Sequence, residues 1–252
     1  MKPRLNIGGV PVDPVTFDEA ILRCESMLAG GGQHLIVTPN PEMAVRAAKD
    51  EEFSRILWKA DLALADGYGL MLMANVSGRK IPEVVTGIDF TLALAGIAEQ
   101  ENCSVYLLGG GEGIAERAGE RLKKHFPKLR IAGAESGGRI RYDHGEWRQD
   151  PNLISRIRKA EPAILLVALG HGKQERWIRD HLKELPSVRL AIGIGGALDF
   201  ISGKVRRAPG VMRKVHLEWF WRLLRQPWRI FRILTALIIF PILVLYLLLR
   251  RR

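Results

Sequence analysis

Cysteine is nearly absent: the 252 residues hold two, Cys24 and Cys103, at no metal-binding or redox spacing. Disulfides, a structural zinc site and a dithiol switch are thereby excluded, and each thiol reads as a buried spectator. Also missing are a D-x-D carboxylate pair, a His/Cys ligand cluster, a G-x-S-x-G elbow and a P-loop, so neither a metal, a serine nucleophile nor NTP hydrolysis is expected. The first residues, MKPRLNIGGVPVD, turn polar and Gly/Pro-rich at once and lack the apolar core of a signal peptide. That puts the expected catalytic body in the cytoplasm. Net charge is missing from most of the chain as well. Residues 1 to 203 carry 26 basic and 26 acidic side chains, and they hold no long apolar run.

The whole formal charge of +11 therefore sits from Lys204 onward, where twelve Lys and Arg meet one acid, Glu218. A basic excess confined to a segment that then turns apolar points to an anionic bilayer rather than to nucleic acid. On a 3.6-residue wheel Leu217, Phe220, Trp221, Leu224, Trp228 and Phe231 share one arc, with Arg222, Arg225, Arg229 and Arg232 beside it, the pattern of a helix at a membrane surface. The alternative is the same helix docked on its own globule with solvated arginines, and Pro227 is a candidate break. Residues 233 to 249 form a seventeen-residue uncharged run with Pro241 midway and arginines at both ends. At ~1.5 Å per residue it reaches about 25 Å, short of a ~30 Å hydrocarbon core. A monotopic or re-entrant anchor is expected over a full span.

With 47% apolar and 26% charged residues the body has the composition of an ordinary folded domain. Leu5 to Val12 is a hairpin candidate, and Thr16 with Glu19 forms a capping box before a helix that Gly30 to Gly32 end. Beyond it, strands expected at 34–38, 62–65, 104–108, 130–134, 163–169 and 189–194 alternate with helices at 41–59, 67–76, 88–101, 113–125, 151–160 and 173–185. Most of these strands are continuous apolar runs, as in sheets buried on both faces. The alternation gives an α/β fold, a Rossmann-like, mainly parallel sheet with helices on both faces, plus a C-terminal helical membrane-binding appendage.

Chemistry-bearing motifs fall at the carboxyl ends of the strands, where ligands collect in such folds. In LLGGGEGIAERAGERL, Gly109, Gly110, Gly111 and Gly113 stand between a strand and a helix, as in a pyrophosphate-binding loop, although Ile114 replaces the last glycine of G-x-G-x-x-G. Glu135, at the next strand end, stands where an acid would hold a ribose. An NAD-dependent dehydrogenase is thus open beside a nucleotide-sugar site, and a purely structural tight turn beside both. In ADGYG, at 65–69, Asp66 is followed by two glycines that leave its carboxylate uncrowded; it fits a general base on a sugar hydroxyl and equally the N-cap of the next helix. In VTPNPEM, at 37–43, two prolines stiffen the backbone around Asn40, so that Thr38 and Asn40 either meet a sugar or phosphate or simply form a rigid turn. GHGKQERW, at 170–177, brings Lys173 and Gln174 to the same edge, with His171 as a base or an incidental loop residue.

Taken in order, VTPNPEM, ADGYG, the TGID of 86–89, LLGGGEG, GKQERW, GIGGALDFISGKVRRAP and LEWFWRLL resemble the WecG/TagA/CpsF glycosyltransferases, glycosyltransferase family 26, from about residue 5 to 232. The resemblance implies an inverting transferase that uses no metal or cofactor. It would move N-acetylmannosamine, its uronic acid or glucose from a UDP-sugar to a polyprenyl-diphosphate-linked sugar at the cytoplasmic face of the cell membrane, in polysaccharide or teichoic acid assembly. It assigns Asp66 as general base, Thr38, Asn40 and Gln174 as polar active-site groups, and the LLGG loop as the UDP-binding segment. With the spacing arguments, the expected nucleotide-sugar contacts are Gly67, Asp89, Gly109, Gly110, Gly111, Glu135 and Lys173, and the diphosphate contacts Arg222, Arg229 and Arg232. Val84 stands where many members carry an arginine. The chain then divides into a transferase domain at 1–202, a basic appendage completing the active site at 203–232, and a hydrophobic anchor at 233–252. Membrane lipids are the expected macromolecular partner, with self-association open to the same apolar surface; a non-catalytic membrane-bound interaction protein is the reading outside enzymes.

Overall fold

The structure, a computed structural model, describes residues 3 to 214 and 218 to 250. Leu217, expected on the apolar arc of the tail, lies outside the described residues, as do Arg251 and Arg252. Among the described residues ten strands occur: β1 (Leu5–Ile7), β2 (Val10–Val12), β3 (His34–Val37), β4 (Leu62–Ala63), β5 (Ser104–Gly109), β6 (Arg130–Glu135), β7 (Arg141–Asp143), β8 (Glu146–Arg148), β9 (Ile164–Ala168) and β10 (Leu190–Gly193). Six of them form a wholly parallel sheet in the order β4-β3-β10-β9-β5-β6, while β1/β2 and β7/β8 are separate antiparallel hairpins. The apolar runs of β9 and β10 are buried at every position. Alternate residues feed opposite faces, as the strand period of two requires. Ile36, Leu62, Leu107, Leu166 and Ile192 face one apolar cluster, and Val37, Ala63, Leu108, Val167 and Ala191 face two others.

The body helices are α1 (Phe17–Gly30), α2 (Pro41–Ala47), α3 (Glu51–Lys59), α4 (Tyr68–Val76), α5 (Gly87–Gln100), α6 (Ile114–His125), α7 (Leu153–Ala160), α8 (Lys173–His181) and α9 (Ala197–Ile201). The capping box is present at Thr16, with Glu19 N–H donating to the hydroxyl and the Glu19 carboxylate accepting from Thr16 N–H. One expectation is corrected here. The single helix read over 41–59 is two, because the Asp50 side chain accepts from Phe53 N–H at 3.0 Å and starts α3 afresh; an aspartate at that position favours a new N-terminus over continuing the old helix. The β7/β8 hairpin and α9 were not expected, since three-residue strands and five-residue helices carry too little periodicity to stand out.

Strands β3 and β10 are neighbours, yet the helices that follow them, α2 and α9, pack in clusters on opposite faces. Such a switch opens a crevice at the carboxyl ends of the strands.

The tail holds α10 (Gly210–Lys214), α11 (Glu218–Arg225), a 3₁₀ turn (Pro227–Arg229), α12 (Ile230–Leu234), a π-helical turn (Thr235–Ile239) and α13 (Phe240–Leu249). Pro227 begins a new helical stretch after Gln226 leaves the helical region. The π turn precedes Pro241, whose ring displaces the carbonyl one turn back, and a widened turn accommodates that. Pro227–Leu249 is a 23-residue helix long and apolar enough to cross a membrane, and 11% of its most apolar window is buried. The buried part is specific: Phe240 and Val244 are inaccessible and join the core of the β1/β2 hairpin, α2 and α4. A Cβ added to Gly8 would lie 2.7 Å from Phe240 and 3.0 Å from Val244, so the turn of that hairpin is the seat on which α13 rests.

Candidate active site

The crevice is a cavity of about 1180 Å³ lined by the loops after β3, β4, β5, β6, β9 and β10 and roofed by the tail. Asp66 lies in its wall. Its backbone N–H donates to the Pro39 carbonyl (2.8 Å), and Val85 N–H donates to the Ala65 carbonyl (2.9 Å), so the carboxylate is fixed between two flanking loops. Gly67 occupies the N-cap position of α4 with no side-chain cap bond. The capping alternative for Asp66 is thereby removed. Instead the carboxylate accepts from Gly87 N–H at the start of α5, and burial pushes its pKa up to about 6, against the opposing field of Arg222 and with the help of Glu218.

Thr38, Asn40, Gln174, Gly67, Asp89, Gly110, Gly111, Lys173, Arg222, Arg229 and Arg232 all line the same cavity. Several also hold structure. Asn40 caps α2 by accepting from Met43 N–H at 3.0 Å, and the Thr38 hydroxyl donates to the Gly193 carbonyl at 3.4 Å. Gln174 is buried; its amide donates to Glu175 at 2.8 Å and its oxygen accepts from Gly195 N–H at 3.0 Å, tying α8 to the loop after β10. A Cβ at Gly193 would sit 2.5 Å from that amide nitrogen, so only glycine leaves room for Gln174. Lys173 donates to the Ile140 carbonyl at 3.0 Å, and burial and Arg141 hold its pKa below the ordinary lysine range. Asp89 is held by Arg207 through paired bonds of 2.5 and 2.6 Å and accepts from the Thr86 hydroxyl at 2.7 Å.

Arg222, Arg229 and Arg232 converge from the tail. Arg222 stacks over Phe200, its guanidinium carbon 4.6 Å from the ring centroid, and burial lowers its pKa. Burial, then Arg222 and Arg232, push Arg229 down to about 10. Three cations lining one cavity, two of them acting on the third, form a field suited to a diphosphate.

Two expected residues do not reach the cavity. The Glu135 carboxylate accepts from the Tyr106 hydroxyl and from Arg156 at 2.7 and 3.2 Å, so its expected ribose contact is corrected to a structural ion pair at the sheet edge. Gly109 packs on β9, where a Cβ would lie 2.5 Å from the Ala168 carbonyl; its role is that close approach. Sequence reasoning missed Glu42, Arg207, Glu218, Arg139 and Arg141, all of which line the cavity. Glu42 sits inside the quoted VTPNPEM and Arg207 inside GKVRRAP, so each was in view, but only the tertiary pairing distinguishes them from surface charge.

A family model described as Glycosyl transferase WecG/TagA/CpsF family matches residues 5–252. The chain is 32% identical over 202 residues, 80% of its length and 75% of the relative's, to the N-acetylglucosaminyldiphosphoundecaprenol N-acetyl-beta-D-mannosaminyltransferase of Bacillus subtilis strain 168. A protein of the same description from Staphylococcus aureus strain MW2 is 27% identical over 233 residues, 91% of this chain and 88% of that one. Since the match takes in the cavity-forming loops and the tail alike, the chain belongs to the WecG/TagA/CpsF glycosyltransferase family.

Proposed function

We propose that the protein transfers N-acetylmannosamine from a UDP-sugar, with inversion, to N-acetylglucosamine linked to a polyprenyl diphosphate, at the cytoplasmic face of a membrane to which the tail attaches it. The relatives' descriptions favour this sugar pair over the uronic acid or glucose donors. The observation that carries the reading is the position of Asp66: a carboxylate with its pKa raised to about 6, in a cavity whose roof brings three arginines.

In the proposed reaction the acceptor hydroxyl attacks the anomeric carbon from the face opposite the leaving group. As the new C–O bond forms, the bond to the UDP oxygen breaks and its electron pair leaves with UDP, while Asp66 takes the hydroxyl proton. A base whose pKa lies just below working pH is ionised and still basic enough for this. Arg222, Arg229 and Arg232 offset the charge growing on the departing diphosphate, the role that preorganised donors play best in a recessed site. Gln174, Thr38 and Asn40 shape the floor on which the sugars rest.

Release of UDP, followed over a panel of UDP-sugars with a synthetic polyprenyl-diphosphate N-acetylglucosamine acceptor, tests the reading. Acceptor-dependent release with UDP-N-acetylmannosamine supports it. No release above background with any UDP-sugar refutes it.

A further inference from the structure

Helix α4, YGLMLMANV, has no charged residue, although it lies at the surface. Its inner side is ordinary, with Leu70, Met73 and Ala74 buried. Its outer arc is not: Tyr68, Leu72 and Val76, four residues apart and so on one face, are 42%, 47% and 53% exposed. The exposed Asn75 shares that arc as its one polar, uncharged member, and an exposed arc otherwise this apolar marks a surface made for a partner or for lipid. This one is uncovered among the described residues.

Its place explains it. Tyr68 and Leu72 line one lip of the cavity, while Trp219, Ile233, Ala236 and Leu237, from the tail, line the other. Both lips are apolar and outward-facing, with Trp219 39% and Leu237 50% exposed. Four residues beyond α4 comes the exposed Lys80, placed as a cation is beside a membrane-seated apolar patch, while its neighbour Arg79 is held inward by the Asn6 carbonyl.

We infer that α4 is a second membrane contact, so that the protein rests on an anionic bilayer through two lips and the cavity opens between them onto the lipid surface. The occupant is the bilayer rather than a second copy of the chain, because the α4 arc continues across the cavity mouth into the helix that is itself apolar enough for lipid. A lipid-linked acceptor would then pass its diphosphate inward between the lips while its chain stays in the leaflet. The inference rests on the membrane-bound reading of the tail.

The test uses the full chain carrying Val76→Cys or Phe231→Cys labelled with bimane, in phosphatidylglycerol/phosphatidylethanolamine vesicles containing nitroxide lipids. The native thiols do not compete, since Cys24 and Cys103 are buried. Quenching at both positions is expected. Quenching at 231 alone overturns the α4 contact and leaves the tail anchor standing; quenching at neither overturns both. A bimane shift at 76 that follows protein concentration without lipid marks a dimer face and also overturns the inference. In parallel, Leu72→Glu/Val76→Glu should lower vesicle partitioning by about tenfold or more, the scale of losing two aliphatic contacts with lipid. Unchanged partitioning contradicts the inference.

Discussion

Arg232, in the tail, donates its Nε hydrogen to Glu42, in the first turn of α2, at 2.6 Å, joining positions 190 residues apart. The same carboxylate oxygen lies 3.3 Å from His171 Nε2, and Arg46 from α2 donates to the His171 carbonyl at 3.1 Å. Glu42 therefore fixes the tail to the loop that leads into α8, the helix carrying Lys173 and Gln174. The pair is partly solvated, with side chains 21% and 42% exposed, so it adds no more than ~1 kcal/mol to stability. Glu42→Gln should then melt within a few degrees of wild type. Turnover should suffer more, with kcat/KM for the lipid-linked acceptor falling by of order tenfold as Arg232 loses its position. Equal kinetics would show that the pair holds nothing the reaction uses.

Asp66 sets the pH behaviour. Its folded-state pKa of about 6 lies above the ordinary aspartate value of 3.8, so the native protein favours the neutral acid more than the unfolded chain does. The preference contributes stability that is fully present below pH ~4 and lost as pH rises through about 6, an effect of about 3 kcal/mol. Turnover should show an acidic limb with an apparent pKa near 6. At pH 8 Asp66→Asn should melt higher than wild type, since it removes a buried charge; a lower melting temperature contradicts the burial argument.

In the proposed mechanism, positive charge in the roof would take the part a metal ion plays in many sugar transferases. Burial and its two arginine neighbours push Arg229 down to about 10, against the opposing field of Glu42 and Asp199, so a bound diphosphate would favour its charged form. Turnover should persist in excess EDTA. Strict dependence on added Mn²⁺ or Mg²⁺ would mean that the arginines do not suffice.

Gly193→Ala tests the floor. The added methyl would meet Gln174 at 2.5 to 2.8 Å, inside van der Waals contact with a buried side chain that cannot withdraw. Overpacking of this kind costs about 1–3 kcal/mol, and displacement of Gln174 should lower kcat as well. A variant with normal stability and turnover would mean that Gln174 has room to move.

The strand and helix alternation was legible because continuous apolar runs such as Ile164–Ala168 can only be buried on both faces. Ordered motifs made the strand-end loops legible too, with Asp66, Gln174 and Lys173 gathered at one cavity. Glu135 shows the limit. Its spacing fits a ribose contact, but the Tyr106 hydroxyl one strand away and Arg156 from α7 claim it, and neither partner is apparent from local sequence. The same correction weakens a dinucleotide site, so UDP and not NAD should raise the melting temperature, by an amount growing with ligand as mass action requires. Seating of α13 was equally hidden, because Phe240 and Val244 are as apolar as their exposed neighbours and only the tertiary packing on Gly8 and the surrounding core sets them apart.

The most direct measurement is kcat of Asp66→Asn beside wild type, with UDP-N-acetylmannosamine and the polyprenyl-diphosphate acceptor at saturation. Loss of a positioned base predicts a fall of about 10²-fold or more, with UDP still stabilising the variant against heat. Turnover within a few fold of wild type would contradict the assignment of Asp66 as the base and the mechanism built on it.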